Sequence, residues 1–205
     1  MAPTDDRTTL VTGFGPFGDH DYNPSGDAAV ALADRLVQDS GAHLLDVTYT
    51  TATQFAPAHI ETTGRAPLRF IHLGLGAQRE HVCFERVAVN RRSSRPDRLE
   101  RNHGTELPGE QPLVDENRDR RTTSIDLKSL VDDYTSLMAT ALPKAKISDD
   151  CGRFVCNAIY YHSLRACQRC RLAGRSAQAV FIHIPILDSD RAHRLGTALG
   201  ELFRH

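Results

Sequence analysis

The chain has 205 residues, 40% of them hydrophobic, and carries a formal charge of −1 from 25 basic and 26 acidic side chains. That length allows one domain with a full core and would cramp two, and the composition is that of a folded protein. The charge balance gives no long-range pull toward nucleic acid or anionic lipid.

Thr8 to Thr12 reads as a short buried strand that runs into a rigid loop, Gly13-Phe14-Gly15-Pro16-Phe17-Gly18. Asn23 is placed to cap a helix with Pro24 in its first turn, and Ala29, Val30, Ala33, Leu36 and Val37 follow at helical spacing as far as Ser40-Gly41. A second strand is expected over Leu44 to Thr50 and a weak helix over Gln54 to Thr63. Leu68 to Leu73 reads as a third strand, ending in Gly74-Leu75-Gly76, and Val82 to Val89 as a fourth. From Asn90 to Thr123 the pattern collapses. The stretch is rich in arginine, free of lysine and broken by Pro96, Pro108 and Pro112. A connection of that length inside a compact domain usually has a function of its own.

Ile125 to Leu142 has helical spacing, with Leu127, Leu130, Val131, Tyr134, Leu137 and Met138 on one face. A short strand near Ala145 to Ser148 leads to Cys151-Gly152-Arg153-Phe154-Val155-Cys156-Asn157, and a helix starts at about Val155 and runs to near Ala166. Ala179 to Ile184 is the last strand, closed by Pro185, and Arg191 to Phe203 the last helix. Alternating strands and helices predict a single-domain α/β/α sandwich over residues 1–205, with a mainly parallel, mixed and twisted sheet.

No apolar run approaches the roughly 20 residues of a membrane-spanning helix. Met1 to Arg7 is polar and acidic and lacks the sections of a signal peptide. Five cysteines, at 83, 151, 156, 167 and 170, are an odd number, so a cytoplasmic protein with reduced thiols is expected. Cys167-Gln168-Arg169-Cys170 has CxxC spacing but no second pair for zinc and no redox context. No metal or cofactor is expected. Arginines of 91–121 alternate with acids and read as a solvated face, with no nucleic-acid role.

Chemistry concentrates at Cys156. A thiol at a helix start meets the positive end of the dipole and free N–H groups, which favour thiolate and can hold an oxyanion. His183, at the C-terminal end of a strand, is the candidate base, because ligands of open α/β sheets bind at such ends. Glu85, a carboxylate in an apolar stretch, needs a partner and is the candidate group to orient the ring. Each has an ordinary alternative: the cysteine as a small core hydrophobe, the histidine as a structural residue, Glu85 as a pair with Arg86 or another surface cation.

Four stretches together resemble pyroglutamyl peptidase I, a family of cysteine peptidases. They are Thr12 to Gly18 with Asn23-Pro24-Ser25; His72 to Gly76 leading to Glu85 to Asn90; Gly152 to Asn157; and Phe181 to Pro185. Their order and spacing carry the resemblance over nearly the whole chain. It implies Cys156 as nucleophile, His183 as base and Glu85 as its orienting acid. It also implies Phe14, Phe17, Arg95 and Val155 as substrate-binding, the two phenylalanines holding a flat, uncharged pyrrolidone ring. The implied substrates are pyroglutamyl peptides, and the implied assembly ranges from monomer to homo-tetramer. The sequence departs from the family at Arg95, followed directly by Pro96-Asp97 and so one residue short; at Ile186-Leu187-Asp188-Ser189; and at Cys151, in place of a usual alanine. Residues 91–123 are expected to form a divergent loop or insertion near the active site. Two other readings stay open: a related cysteine hydrolase with altered N-acyl specificity, and an inactive binding homologue.

Overall fold

The structure is a computed structural model and describes residues 8–36, 41–63, 68–103, 109–137 and 142–204. Its centre is a six-stranded mixed sheet in the order β2-β1-β3-β8-β4-β7. The strands are β1 (Thr8–Phe14), β2 (Ala42–Leu45), β3 (Leu68–Leu75), β4 (Val82–Glu85), β7 (Ala145–Ser148) and β8 (Ala177–Ile184). All neighbours are parallel except β4 and β8. A separate antiparallel ribbon joins β5 (Val87–Val89) to β6 (Arg120–Thr122). The central strands β3 and β8 are buried almost throughout, as strands covered on both faces must be.

Two cores lie on the two faces of the sheet. Helices α1 (Pro24–Ala33), α4 (Leu127–Leu137) and α6 (Ser189–Leu202) close one with Leu32, Tyr134 and Leu195. Helices α2 (Tyr49–Thr62) and α5 (Val155–Leu172) close the other with Phe55, Ile159 and Tyr160. This is the expected α/β sandwich. No described helix is long and apolar enough to cross a membrane.

Several boundaries differ from the sequence expectation. The strand expected over Leu44 to Thr50 ends at Leu45, and α2 begins at Tyr49. A β-branched run reads locally as strand, but Thr48 accepts the Thr51 N–H at 3.1 Å and caps a helix instead. The Asp97 carboxylate adds a second cap, accepting the Tyr49 N–H at 2.7 Å from 48 residues away. The strand expected over Val82 to Val89 breaks at Arg86, whose N–H bonds Ser148 of the main sheet while its carbonyl accepts from Thr123. There the chain leaves one sheet for the other. The expected loop after Asn90 contains β6 and a short helix, α3 (Arg98–His103), which opens with a capping box between Asp97 and Glu100. Helix α1 ends at Ala33, and α5 continues past Ala166 to Leu172. Val37 and Met138, expected on helix faces, lie outside the described residues.

Candidate active site

The antiparallel pairing of β4 with β8 sets Cys83 opposite His183 and Glu85 opposite Phe181. Glu85 and His183 are therefore diagonal neighbours on one face of the sheet. The His183 Nδ1–H donates to Glu85 Oε1 at 2.8 Å, and Glu85 is fully buried. Binding Nδ1 to a carboxylate fixes the tautomer and leaves Nε2 as the basic nitrogen. Glu85 does not pair with Arg86, which pairs with Asp149 at 3.1 Å; its cation is the partly exposed Arg79, at 3.3 Å.

Cys156 is the second residue of α5. The N-cap, Phe154, makes no side-chain capping bond, and the first turn carries no acid. Its N–H groups therefore stay available for an anion. Two glycines make room between this helix and the strand ends. A Cβ on Gly74 would stand 3.1 Å from Cys156 Sγ and 2.6 Å from Phe181 Cζ. A Cβ on Gly76 would stand 3.3 Å from His183 Cβ and 2.5 Å from Arg79 Cγ. Gly74 faces His183 across β3 and β8. Thiol, imidazole and carboxylate thus gather around the ends of β3, β4 and β8.

The electrostatics correct one sequence expectation. The Cys156 thiol is pushed up to about 12, by burial first and by the Glu85 charge second, against the pull of its own backbone N–H. Burial and the Glu85 charge thus oppose the thiolate that the helix start favours. A base must take the proton as the sulfur attacks. Cys151, raised well above the ordinary thiol value by burial, is a buried free thiol and a poor nucleophile for a disulfide with Cys156. Cys167 and Cys170 are likewise buried free thiols, on α5. No group of His, Cys, Asp or Glu among the described residues could hold a metal ion.

A cavity of about 390 Å³ has Phe17, His20, Asp21, Val47, Arg98, Arg101 and Phe154 on its wall, and Phe154 precedes Cys156 by two residues. Phe17 is half-buried, whereas Phe14 and Val155 lie in the core behind it. Arg95 reaches this rim: its guanidinium sits 5.1 Å over the Phe154 ring, and its Nη2 lies 3.4 Å from where a Cβ of Gly18 would be. The segment after Asn90 supplies Arg95, Arg98 and Arg101 to this opening.

Sequence reasoning missed the side chains that brace the site. Arg79 pairs with Glu85 at 3.3 Å. Asn157, next to the nucleophile candidate, holds Val89 by both backbone groups and Arg91 by its carbonyl, at 2.8–2.9 Å. Asn90 accepts the N–H groups of Leu113 and Val114 and so ties down the segment that follows. Both asparagines stood inside the quoted motifs. The signal for Arg79 was only a lone cation in the turn before Glu85.

Fold and site together fit a cysteine hydrolase built on an α/β sandwich. Comparison with known proteins narrows this. Residues 7–200 match the sequence profile of a family described as pyroglutamyl peptidase. A pyrrolidone-carboxylate peptidase of Thermococcus onnurineus is 32% identical over 183 residues, which cover 87% of this chain and 83% of that protein. Pyroglutamyl-peptidase 1 of Homo sapiens is 30% identical over 197 residues, 94% of this chain and 86% of that protein. A pyrrolidone carboxyl peptidase structure from Fervidobacterium islandicum matches with a TM-score of 0.75 at 23% identity, over 97% of both chains. A Bacillus amyloliquefaciens pyroglutamyl peptidase I structure matches with a TM-score of 0.75 at 23% identity, over 96% of this chain and 94% of that one. The chain belongs to the pyroglutamyl peptidase family.

Proposed function

We propose that Cys156, His183 and Glu85 are the catalytic group of this pyroglutamyl peptidase. The observation that carries the reading is the His183–Glu85 hydrogen bond of 2.8 Å, set at the strand ends beside the uncapped helix start that bears Cys156. Cys156 Sγ attacks the carbonyl carbon that joins the pyroglutamyl ring to the rest of the peptide. His183 Nε2 takes the thiol proton as the C–S bond forms and returns it to the leaving amine as the C–N bond breaks. Water then loses a proton to the same nitrogen and attacks the thioester, releasing pyroglutamate and restoring the thiol. Glu85 holds the ring and offsets the charge it carries in between. N–H groups of the first turn of α5 receive the oxyanion, a contribution typically worth roughly a hundred- to a thousand-fold in rate.

The ring is assigned to the aromatic side of the site, where Phe17 and Phe154 give apolar walls to a flat lactam. A lactam has no free α-ammonium, so binding it needs no carboxylate to pair with one. Arg95 is assigned to the rim, where its charge attracts the carbonyl oxygen side of the substrate. Residues 91–123 are assigned to the mouth, the cytoplasm is the proposed location, and the proposed assembly ranges from monomer to homo-tetramer. No nucleic acid enters this reading.

A panel of coumarin amides tests the substrate assignment. Pyroglutamyl-7-amino-4-methylcoumarin should be cleaved while the prolyl, alanyl and acetyl-alanyl amides are not. Cleavage of the acetylated amide in preference to the pyroglutamyl one would replace this reading with a broader N-acyl hydrolase.

A further inference from the structure

Arg79 has no part in the chemistry above, yet it shares an oxygen with it. The residue closes the turn after β3, where its N–H bonds the Gly76 carbonyl at 2.7 Å. Gly76 lacks the side chain that would block the Arg79 stem, so the guanidinium can reach across the strand ends. Nη2 lies 3.3 Å from Glu85 Oε1, the same oxygen that holds His183 Nδ1. Nη2 also donates to the Asp150 carbonyl at 2.5 Å, and Nη1 to Ser148 Oγ at 3.3 Å. Asp150 in turn accepts the Gly152 N–H at 2.9 Å, in the loop that leads to Cys156.

Glu85 is fully buried, and its second oxygen, Oε2, has no hydrogen-bond partner among the described residues. All specific compensation of this carboxylate falls on Oε1, from His183 and Arg79. Arg79 is the cation paired with this buried carboxylate. Arg79 is about a quarter exposed, at 26%, whereas Glu85 is fully buried, so removing the cation leaves a buried carboxylate short of a partner. The pair therefore bears on the fold as well as on the base, and the test needs a readout that separates the two.

We infer that Arg79 is a positioning residue for His183, acting through Glu85, and that it also ties the carboxylate to the loop bearing Cys156. The inference rests on the catalytic reading of Cys156, His183 and Glu85. Other ionisable groups face this corner: Cys83 on β4, Lys146 on β7, Asp150 and Cys151 in the loop, and Cys156 and Tyr160 on α5. Arg79 and Lys146 are the cations among them, and Arg79 is the one paired with Glu85. Loss of the Arg79 charge has two effects of the same sign. It removes what favours an ionised Glu85, and it removes a charge that repels a second positive charge on His183. Both let the Glu85–His183 pair take up a proton more readily. The acid limb of activity should therefore move to higher pH.

The test compares wild type, Arg79→Met and Arg79→Lys from about pH 5 to about pH 9, the range in which a histidine base titrates. Two rates are read: alkylation of Cys156 by iodoacetamide, and hydrolysis of the pyroglutamyl coumarin amide. Arg79→Met should lower kcat by about tenfold or more, as misplaced catalytic groups do, while KM stays within about twofold. Its acid limb should rise by about half a unit or more in both assays. Arg79→Lys keeps the charge without the fork, so its limb should stay at the wild-type position with kcat between the other two. If the methionine variant does not fold, Arg79→Gln is read in its place. An unmoved limb in the neutral variant overturns the inference, and so does a lysine variant that matches it. Alkylation needs no pyroglutamyl group. A limb that moves in alkylation while the wild type leaves the coumarin amide intact supports the role of Arg79 and overturns the substrate reading alone.

Discussion

Glu85 and Glu116 are both held by arginine, and they differ in a way that separates chemistry from scaffolding. Glu116 is satisfied on both oxygens. Oε1 accepts from the Tyr161 hydroxyl and from Arg121 at 2.6 Å, and Oε2 accepts from Arg165 at 3.0 Å. Burial would raise its pKa, but the hydrogen bonds from Tyr161, Arg121 and Arg165 and the Arg121 charge outweigh that and bring it to about 2. It anchors the segment after Asn90 to α5. Glu85 sits deeper and has fewer partners, one of them an imidazole and one of its oxygens unpaired. A saturated carboxylate is a clamp. One that is left incomplete beside a histidine can respond when that ring gains and loses a proton.

Two histidines repeat the lesson. His72 is buried between Thr12 and Ser163, at 2.8 and 2.9 Å, with no carboxylate. Burial drives it down to about 3, so it stays neutral and structural. His183 has the carboxylate and stands at the strand end.

Substitutions can break this contrast. The largest effect is expected at the proposed nucleophile: Cys156→Ala should lower kcat by about four orders of magnitude or more with an unchanged circular dichroism spectrum, as loss of a nucleophile does elsewhere. Glu85→Gln should cost up to about ten-thousand-fold in kcat, because the ring loses its charge partner and the tautomer that partner fixed; stopped or continuous hydrolysis assays measure it. Glu116→Gln should leave kcat within about threefold and lower Tm by roughly 4–8 °C at neutral pH, the loss of about 2 kcal/mol of charged hydrogen bonds in a chain of this size.

The pH dependence of that last loss sharpens the comparison. Glu116 is depressed in the folded state, so its contribution is fully present above its ordinary value of 4.5 and disappears as pH falls toward about 2. The Tm gap between wild type and Glu116→Gln should therefore close between about pH 5 and about pH 2. A constant gap across that range would show that Glu116 acts through packing and not through charge. The smallest effect is expected at the mouth. Arg101→Ala should reduce kcat/KM for pyroglutamyl peptides with an acidic second residue by about two- to fivefold relative to a neutral one, as exposed charges do, and added salt should erase the difference.

What could be read from sequence follows the same division. The strands β1, β3, β7 and β8 announce themselves through local runs of apolar and β-branched residues, and α5 through the break at Gly152 before a long apolar spacing. Cys156 and His183 could be placed at a helix start and a strand end from pattern alone. Their meeting with Glu85 could not, because it depends on one antiparallel strand in a mainly parallel sheet. Only the resemblance to the family supplied it. The helix at Tyr49 and the braces at Asn90, Asp97 and Arg79 were hidden for a simpler reason: each relies on partners that the local sequence does not reveal. The helix start at Cys156 can be read from sequence, whereas the burial and the Glu85 charge that oppose a thiolate there cannot.

The most direct measurement is denatured intact-mass spectrometry of the protein quenched in acid during turnover of pyroglutamyl-7-amino-4-methylcoumarin, wild type beside Cys156→Ala. The account predicts fluorophore release and a pyroglutamyl adduct mapped to Cys156 in the wild type, and neither in the variant. Fluorophore release by a folded Cys156→Ala at the wild-type rate would contradict it.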